Sequence, residues 1–119
     1  ECALLAEQFG LSLTEENYLE LYEKLNVKHL VVTLGKKGAL VVSSGVVRQI
    51  PGYKVDAVDT TAAGDTFSGA LACALAQGAD IFGAVRYANA AAAMSTMRSG
   101  AQTSMPDAQA VLAFISSFN

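Results

Sequence analysis

The stretch Asp59-Thr60-Thr61-Ala62-Ala63-Gly64-Asp65-Thr66-Phe67 constrains this chain more than any other. Ahead of it, Tyr53 to Val58 alternates apolar and polar residues, as a strand does. Behind it, Phe67, Ala70, Leu71, Ala74 and Leu75 recur at helical spacing, so a helix begins inside the stretch. The opening N–H groups of a helix lack partners within it, and the aligned peptide dipoles place partial positive charge there. Small residues leave those groups bare, which makes such a junction a receptor for an anion. Gly64 permits close approach and unusual dihedrals, while Ala62 and Ala63 keep side chains out of the way. Asp65 adds a carboxylate to the same turn. A base beside an anion cradle is the arrangement that phosphoryl transfer to a hydroxyl requires. Taken alone, the commoner reading of Asp59 or Asp65 is an ordinary helix cap.

Three further stretches accompany the junction: Val32-Thr33-Leu34-Gly35-Lys36-Lys37-Gly38, Arg86-Tyr87-Ala88-Asn89-Ala90-Ala91-Ala92-Ala93, and Arg98-Ser99-Gly100-Ala101-Gln102-Thr103-Ser104-Met105-Pro106. Together and in this order they resemble the ribokinase (phosphofructokinase B) family of carbohydrate kinases, over roughly residues 28 to 119. The resemblance implies a ribokinase-like three-layer α/β/α sandwich. Residues 1–119 would be its C-terminal portion, the half that binds nucleotide and carries the catalytic base. It implies ATP-dependent phosphorylation of a sugar hydroxyl, with the 5-hydroxyl of ribose as the first expectation. Another sugar or a nucleoside is the alternative within the family, and a non-catalytic nucleotide-binding module is the alternative outside enzymes. The chain by itself is expected to be inactive, because no sugar pocket is recognisable in it.

The resemblance also assigns residues. Asp65 would be the base facing the substrate hydroxyl, with Ala62, Ala63, Gly64 and Asp65 forming the anion hole. Thr33, Leu34, Gly35, Lys36, Lys37 and Gly38 would bed ATP, Asn89 would meet the adenine, and Gly64 and Asp65 would reach the phosphates. Magnesium would bridge the phosphates. A potassium site, built mostly from backbone carbonyls, would draw on Asp59, Thr61, Ser95, Arg98, Gly100 and Ser104. Glu1 is a candidate for the Glu of the family's Asn-x-x-Glu motif, against an exposed residue at a helix start. Without the resemblance, Gly35 to Gly38 reads as a solvated hairpin loop and Asn89 as a polar surface residue. The two lysines do not form a Walker A motif, whose pattern is absent.

Composition narrows the field. The 119 residues are 52% hydrophobic and provide one core's worth of material. No apolar run approaches the roughly eighteen residues of a membrane span, and no signal-peptide pattern is seen. A net charge of −3 with 8 basic residues argues against nucleic acid or an acidic membrane as partner. Cys2 and Cys73 are isolated thiols that suit a reducing compartment, so a cytoplasmic protein is expected, with a homodimer as an option. The chain reads as a piece of a longer protein.

The remaining elements follow from local pattern. Residues 1 to 9 are good helix formers ending at Gly10, and Thr14 would cap a second helix to about Leu25, lined by Tyr18, Tyr22 and Leu25 and closed by Asn26. Leu30 to Leu34 reads as a strand buried on both faces; in this chain by itself, without the other half of the family's domain, it is expected to be an exposed edge that invites self-association. His29 stands alone, so a structural role is expected rather than metal binding. Ala39 to Ser43 and Val46 to Ile50 form a hairpin about Ser44-Gly45. The helix from Gly64 ends near Gln77 with Gly78 beyond it, and Asp80 caps a long helix through about Arg98. Pro106 opens a last helix, docked by Val111, Leu112, Ile115 and Phe118.

Overall fold

The structure is a computed structural model that describes residues 2–6, 15–97 and 106–118. The chain divides into two compact units, Glu1–Pro51 and Gly52–Asn119. In the first, β1 (Cys2–Ala6), α1 (Glu15–Leu25), β2 (His29–Thr33), β3 (Ala39–Ser43) and β4 (Val46–Ile50) build a four-stranded sheet in the order β1-β2-β3-β4. β1 and β2 run parallel, with Cys2 opposite His29 and Ala6 opposite Thr33, and α1 supplies the crossover that a parallel pair needs. β2–β3 and β3–β4 are antiparallel.

Residues 2–6 are therefore a strand and not the expected helix. The run Cys-Ala-Leu-Leu-Ala is short and apolar throughout, so its own pattern does not separate the two states; pairing with β2 decides it. The same pairing corrects the expected exposed edge at Leu30 to Leu34. β2 lies between β1 and β3, and Leu30, Val31 and Val32 are all buried. Glu1, Gly10 and Thr14 lie outside the described residues.

Leu30 and Val32 point to one face of β2, where they join Val42 of β3 and Tyr18 of α1 in a single cluster. Leu19, Leu21, Tyr22, Leu40 and Val47 pack around it. Each fully buried aliphatic side chain of this kind contributes roughly 1.5–3 kcal/mol of transfer free energy. Leu25, expected on the packing side of α1, is exposed instead. Asn26 ends that helix in the left-handed region, at φ 51°, a conformation Asn tolerates better than most residues.

The hairpin turn forms as its sequence predicts. Ser44 and Gly45 both have positive φ, 53° and 76°, the pattern of the primed turn whose twist matches its strands. Tyr22 staples that turn to the body of the unit: its hydroxyl donates to the Lys28 carbonyl at 3.0 Å and accepts the Ser44 N–H at 3.2 Å. Tyr22→Phe removes both bonds without changing shape. Because the site is exposed, water replaces part of the loss, and a destabilisation of about 1 kcal/mol is expected in chemical denaturation. An unchanged midpoint would show that the staple contributes nothing.

The second unit contains α2 (Ala63–Ala76), α3 (Ile81–Thr96) and α4 (Ala108–Ser117). Phe67, Ala70, Leu71 and Ala74 of α2 are buried, as are Ile81, Ala84, Val85, Ala88, Ala90 and Ala91 of α3, and the alanines let the two helices approach closely. The connection between them is set by local chemistry. Gly78, at φ 92°, donates to the Leu75 carbonyl at 3.0 Å, and Ala79 donates to the Ala74 carbonyl at 3.1 Å, the paired bonds of a Schellman stop. Asp80 then caps α3 by accepting the Gly83 N–H at 2.7 Å.

Two expectations for this unit are corrected. Tyr53 to Val58 pairs with no strand among the described residues and bends at Val58; Tyr53 packs instead against Phe114 and Phe118, with ring centroids 5.4 and 5.0 Å away. α4 begins at Ala108, two positions beyond Pro106, because Asp107 caps it by accepting the Ala110 N–H at 2.8 Å. Val111 is its buried anchor, whereas Leu112 is exposed.

Candidate functional site

The start of α2 carries no side-chain cap. Ala62 occupies the cap position, so the bland reading of Asp59 or Asp65 as the cap is not what the helix uses. The Ala63 N–H reaches the Thr60 carbonyl at 3.2 Å, and the first regular helical bond is Thr66 N–H to the Ala62 carbonyl at 2.9 Å. Between them, the N–H groups of Gly64 and Asp65 find no acceptor among the described residues. Both residues are exposed, and Asp65 places its carboxylate in this first turn. Bare N–H donors and a carboxylate thus share one turn.

Gly64 earns its place differently from the sequence expectation. Its φ is not positive, so no unusual dihedral is involved. A Cβ built on it meets nothing within 4 Å among the described residues, so the side-chain side of Gly64 is open.

The segment leading into α2 is tied to the far end of α3. The Thr96 carbonyl accepts two N–H groups, from Val58 at 2.6 Å and from Asp59 at 3.0 Å. The Asp59 carboxylate in turn accepts the Thr61 N–H at 2.8 Å and the Thr61 hydroxyl. Ser95 and Thr96 are buried, and their hydroxyls donate back to the Ala92 and Ala93 carbonyls, each at 2.7 Å. Of the expected potassium set, Asp59 and Thr61 are therefore bonded to each other, and Ser95 precedes Thr96, whose carbonyl accepts the Asp59 N–H. Arg98, Gly100 and Ser104 lie outside the described residues.

Asn89 is 6% exposed and already has a hydrogen-bonding or other polar partner, so it is not the surface residue its type suggests. In the other unit, Thr33 ends β2, Leu34 follows, and Gly35–Lys37 form a single 3-10 turn before β3. Gly35 and Gly38 have φ of 61° and 98°, values that disfavour any side chain. Leu34 N–H to Gly38 carbonyl, at 2.8 Å, closes the loop, and Lys36 and Lys37 stay exposed. His29 bonds Ser43 through Nδ1 at 2.8 Å, and burial, reinforced by the neighbouring Lys28 charge, holds its pKa below the usual value. Among the described residues no cluster of His, Cys, Asp and Glu is suited to hold a metal ion.

The sequence profile of the pfkB family carbohydrate kinases matches residues 1–108. The chain belongs to this family. Among pfkB relatives, it is 41% identical over 95 residues to a ribokinase from Haemophilus influenzae, an alignment covering 80% of this chain and 31% of the relative. The ribokinase structure from Thermotoga maritima matches with a TM-score of 0.83 at 42% identity, over 97% of this chain and 42% of that one. A double mutant of fructokinase from Vibrio cholerae O395, in a fructose, ADP and potassium ion bound form, matches with a TM-score of 0.81 at 32% identity, over 95% of this chain and 40% of that one. The chain thus spans about a third of the length of its curated pfkB relatives, 31% in the first case. The expected ribokinase-like α/β fold class stands.

What sequence reasoning missed within this pfkB chain is the wiring. Nothing in the types of Val58 and Thr96 announces a backbone clamp between positions so far apart in sequence. Likewise Tyr53, Phe114 and Phe118 were legible as apolar residues but not as one cluster.

Proposed function

We propose that this chain is the C-terminal portion of a protein that transfers the terminal phosphoryl group of ATP to a sugar hydroxyl, with the 5-hydroxyl of ribose as the first candidate. The observation that carries this reading is the uncapped start of α2, where the Gly64 and Asp65 N–H groups are bare beside the Asp65 carboxylate. In this reading Asp65 accepts the proton of the acceptor hydroxyl as that oxygen attacks phosphorus. The N–H groups of the Ala62 to Asp65 turn stabilise the charge carried by the phosphoryl oxygens. Thr33 to Gly38 contribute nucleotide contacts, with the left-handed Gly35 and Gly38 keeping that loop free of side chains. Asn89, being buried and engaged, would act on the nucleotide side from within α3.

Magnesium bound to the phosphates would supply charge neutralisation. For potassium, the donor chemistry would fit: the Asp59 carboxylate, the Thr61 hydroxyl and the backbone carbonyls of Asp59, Thr61 and Ser95 are hard oxygens, the type that takes the place of this ion's hydration shell. No helix among the described residues is long and apolar enough to cross a membrane. Cys73 is an exposed free thiol, which agrees with a proposed cytoplasmic setting.

The test is an assay of the full-length protein with ATP and magnesium against ribose, fructose and nucleosides, in potassium and in choline at equal ionic strength. Sugar phosphate should form, fastest with ribose and faster in potassium. Faster turnover of fructose or a nucleoside would reassign the substrate. No phosphorylated product from any acceptor would end the reading.

A further inference from the structure

We propose that Thr96 is a positioning residue for the cradle at the start of α2, acting through its backbone carbonyl. This rests on the proposed phosphoryl transfer for its kinetic consequence, though not for its structural content. The last carbonyls of a helix lack intrahelical partners and carry partial negative charge. In α3 the Thr96 carbonyl meets two backbone donors from a distant segment, Val58 at 2.6 Å and Asp59 at 3.0 Å.

From there an unbroken series of bonds runs into α2. Asp59, held by its N–H, accepts the Thr61 N–H at 2.8 Å through its carboxylate. The Thr60 carbonyl accepts the Ala63 N–H at 3.2 Å, and the Ala62 carbonyl accepts the Thr66 N–H at 2.9 Å. The bare N–H groups of Gly64 and Asp65 sit directly inside that series. Their position is therefore referenced to the end of α3 and not only to their own helix.

Thr96 is suited to be such a reference point. It is 8% exposed, and its hydroxyl donates to the Ala93 carbonyl at 2.7 Å, which fixes the final turn of α3 from the side chain as well. Val58 contributes only its backbone: its side chain is 66% exposed. Deleting the Val58 N–H and loosening the Thr96 carbonyl are thus independent ways of weakening the same clamp.

The experiment compares Thr96→Gly with Thr96→Ser, and Val58→Pro with Val58→Ala, in the full-length protein. Ser keeps the hydroxyl bond to Ala93 and Ala keeps the N–H, so these variants serve as conservative rescues. The backbone amide resonances of Gly64 and Asp65 should move in the Gly and Pro variants and stay in place in the Ser and Ala variants. In the kinase assay, Thr96→Gly should lose kcat on the order of ten- to a hundredfold, the scale on which small misplacements cost rate, with KM for ATP little changed. If Val58→Pro does not fold, the Thr96 pair decides. Unmoved Gly64 and Asp65 amides in folded Thr96→Gly overturn the proposal, as does a wild-type kcat in that variant. Absence of kinase activity in the wild type would instead count against the proposed function, leaving the amide shifts to judge the clamp.

Discussion

Asp65→Asn in the full-length protein should lower turnover by about a hundredfold or more, the usual scale for losing a general base. The substitution keeps the size and shape of the side chain and removes its capacity to accept a proton. ATP affinity should change little, because the nucleotide contacts proposed at Thr33 to Gly38 are untouched. Stability should also change little. Asp65 is exposed in the first turn of α2, where a carboxylate gains at most about 1 kcal/mol from the helix dipole. A large kinetic loss with a nearly unchanged unfolding midpoint is thus the expected signature. Near-normal turnover would remove Asp65 from the role of base, and a large loss of stability would make it a structural residue.

Much of the fold could be read from local chemistry because local chemistry decides it. Ser44-Gly45 dictates a primed hairpin turn, Gly78 a helix stop, and Asp80 a helix start, each through one or two residues acting on their own backbone. The misreadings share the opposite cause. Cys2–Ala6 is a strand because β2 lies beside it, and nothing within five apolar residues contains that information. Tyr53 to Val58 alternates like a strand, yet Tyr53 packs on the distant Phe114 and Phe118 and Val58 is exposed. Pro106 and Asp107 are both helix-start residues, and the one able to accept an N–H set the boundary.

The candidate site divides along the same line. Its chemistry was legible from the resemblance, which set the anion cradle above the ordinary helix cap that residue type alone suggests, and the start of α2 indeed has no side-chain cap. Its wiring was not, since the Thr96 carbonyl is a backbone atom with no signature in residue type. Asn89 shows the limit most directly: the residue type suggests surface, yet Asn89 lies one turn beyond the fully buried Val85 on the same face of α3.

Gly64→Ala should separate stability from activity in sign. Gly64 has no positive φ, and a Cβ there meets nothing within 4 Å, so the backbone accepts Ala without strain or clash. Ala also costs less conformational entropy to order in a helix. The variant should be as stable as the wild type or more stable, by up to about 1 kcal/mol. Activity should move the other way. In the proposed reaction a phosphoryl oxygen approaches the exposed Gly64 N–H, and a methyl group on the open Cβ side of Gly64 would crowd that approach. A displacement of about 1 Å at such a donor can cost on the order of a hundredfold in rate, so kcat should fall while the unfolding midpoint holds or rises. Full activity in Gly64→Ala would mean that the open space takes no part in catalysis. A lowered midpoint would mean that glycine is there for the backbone after all.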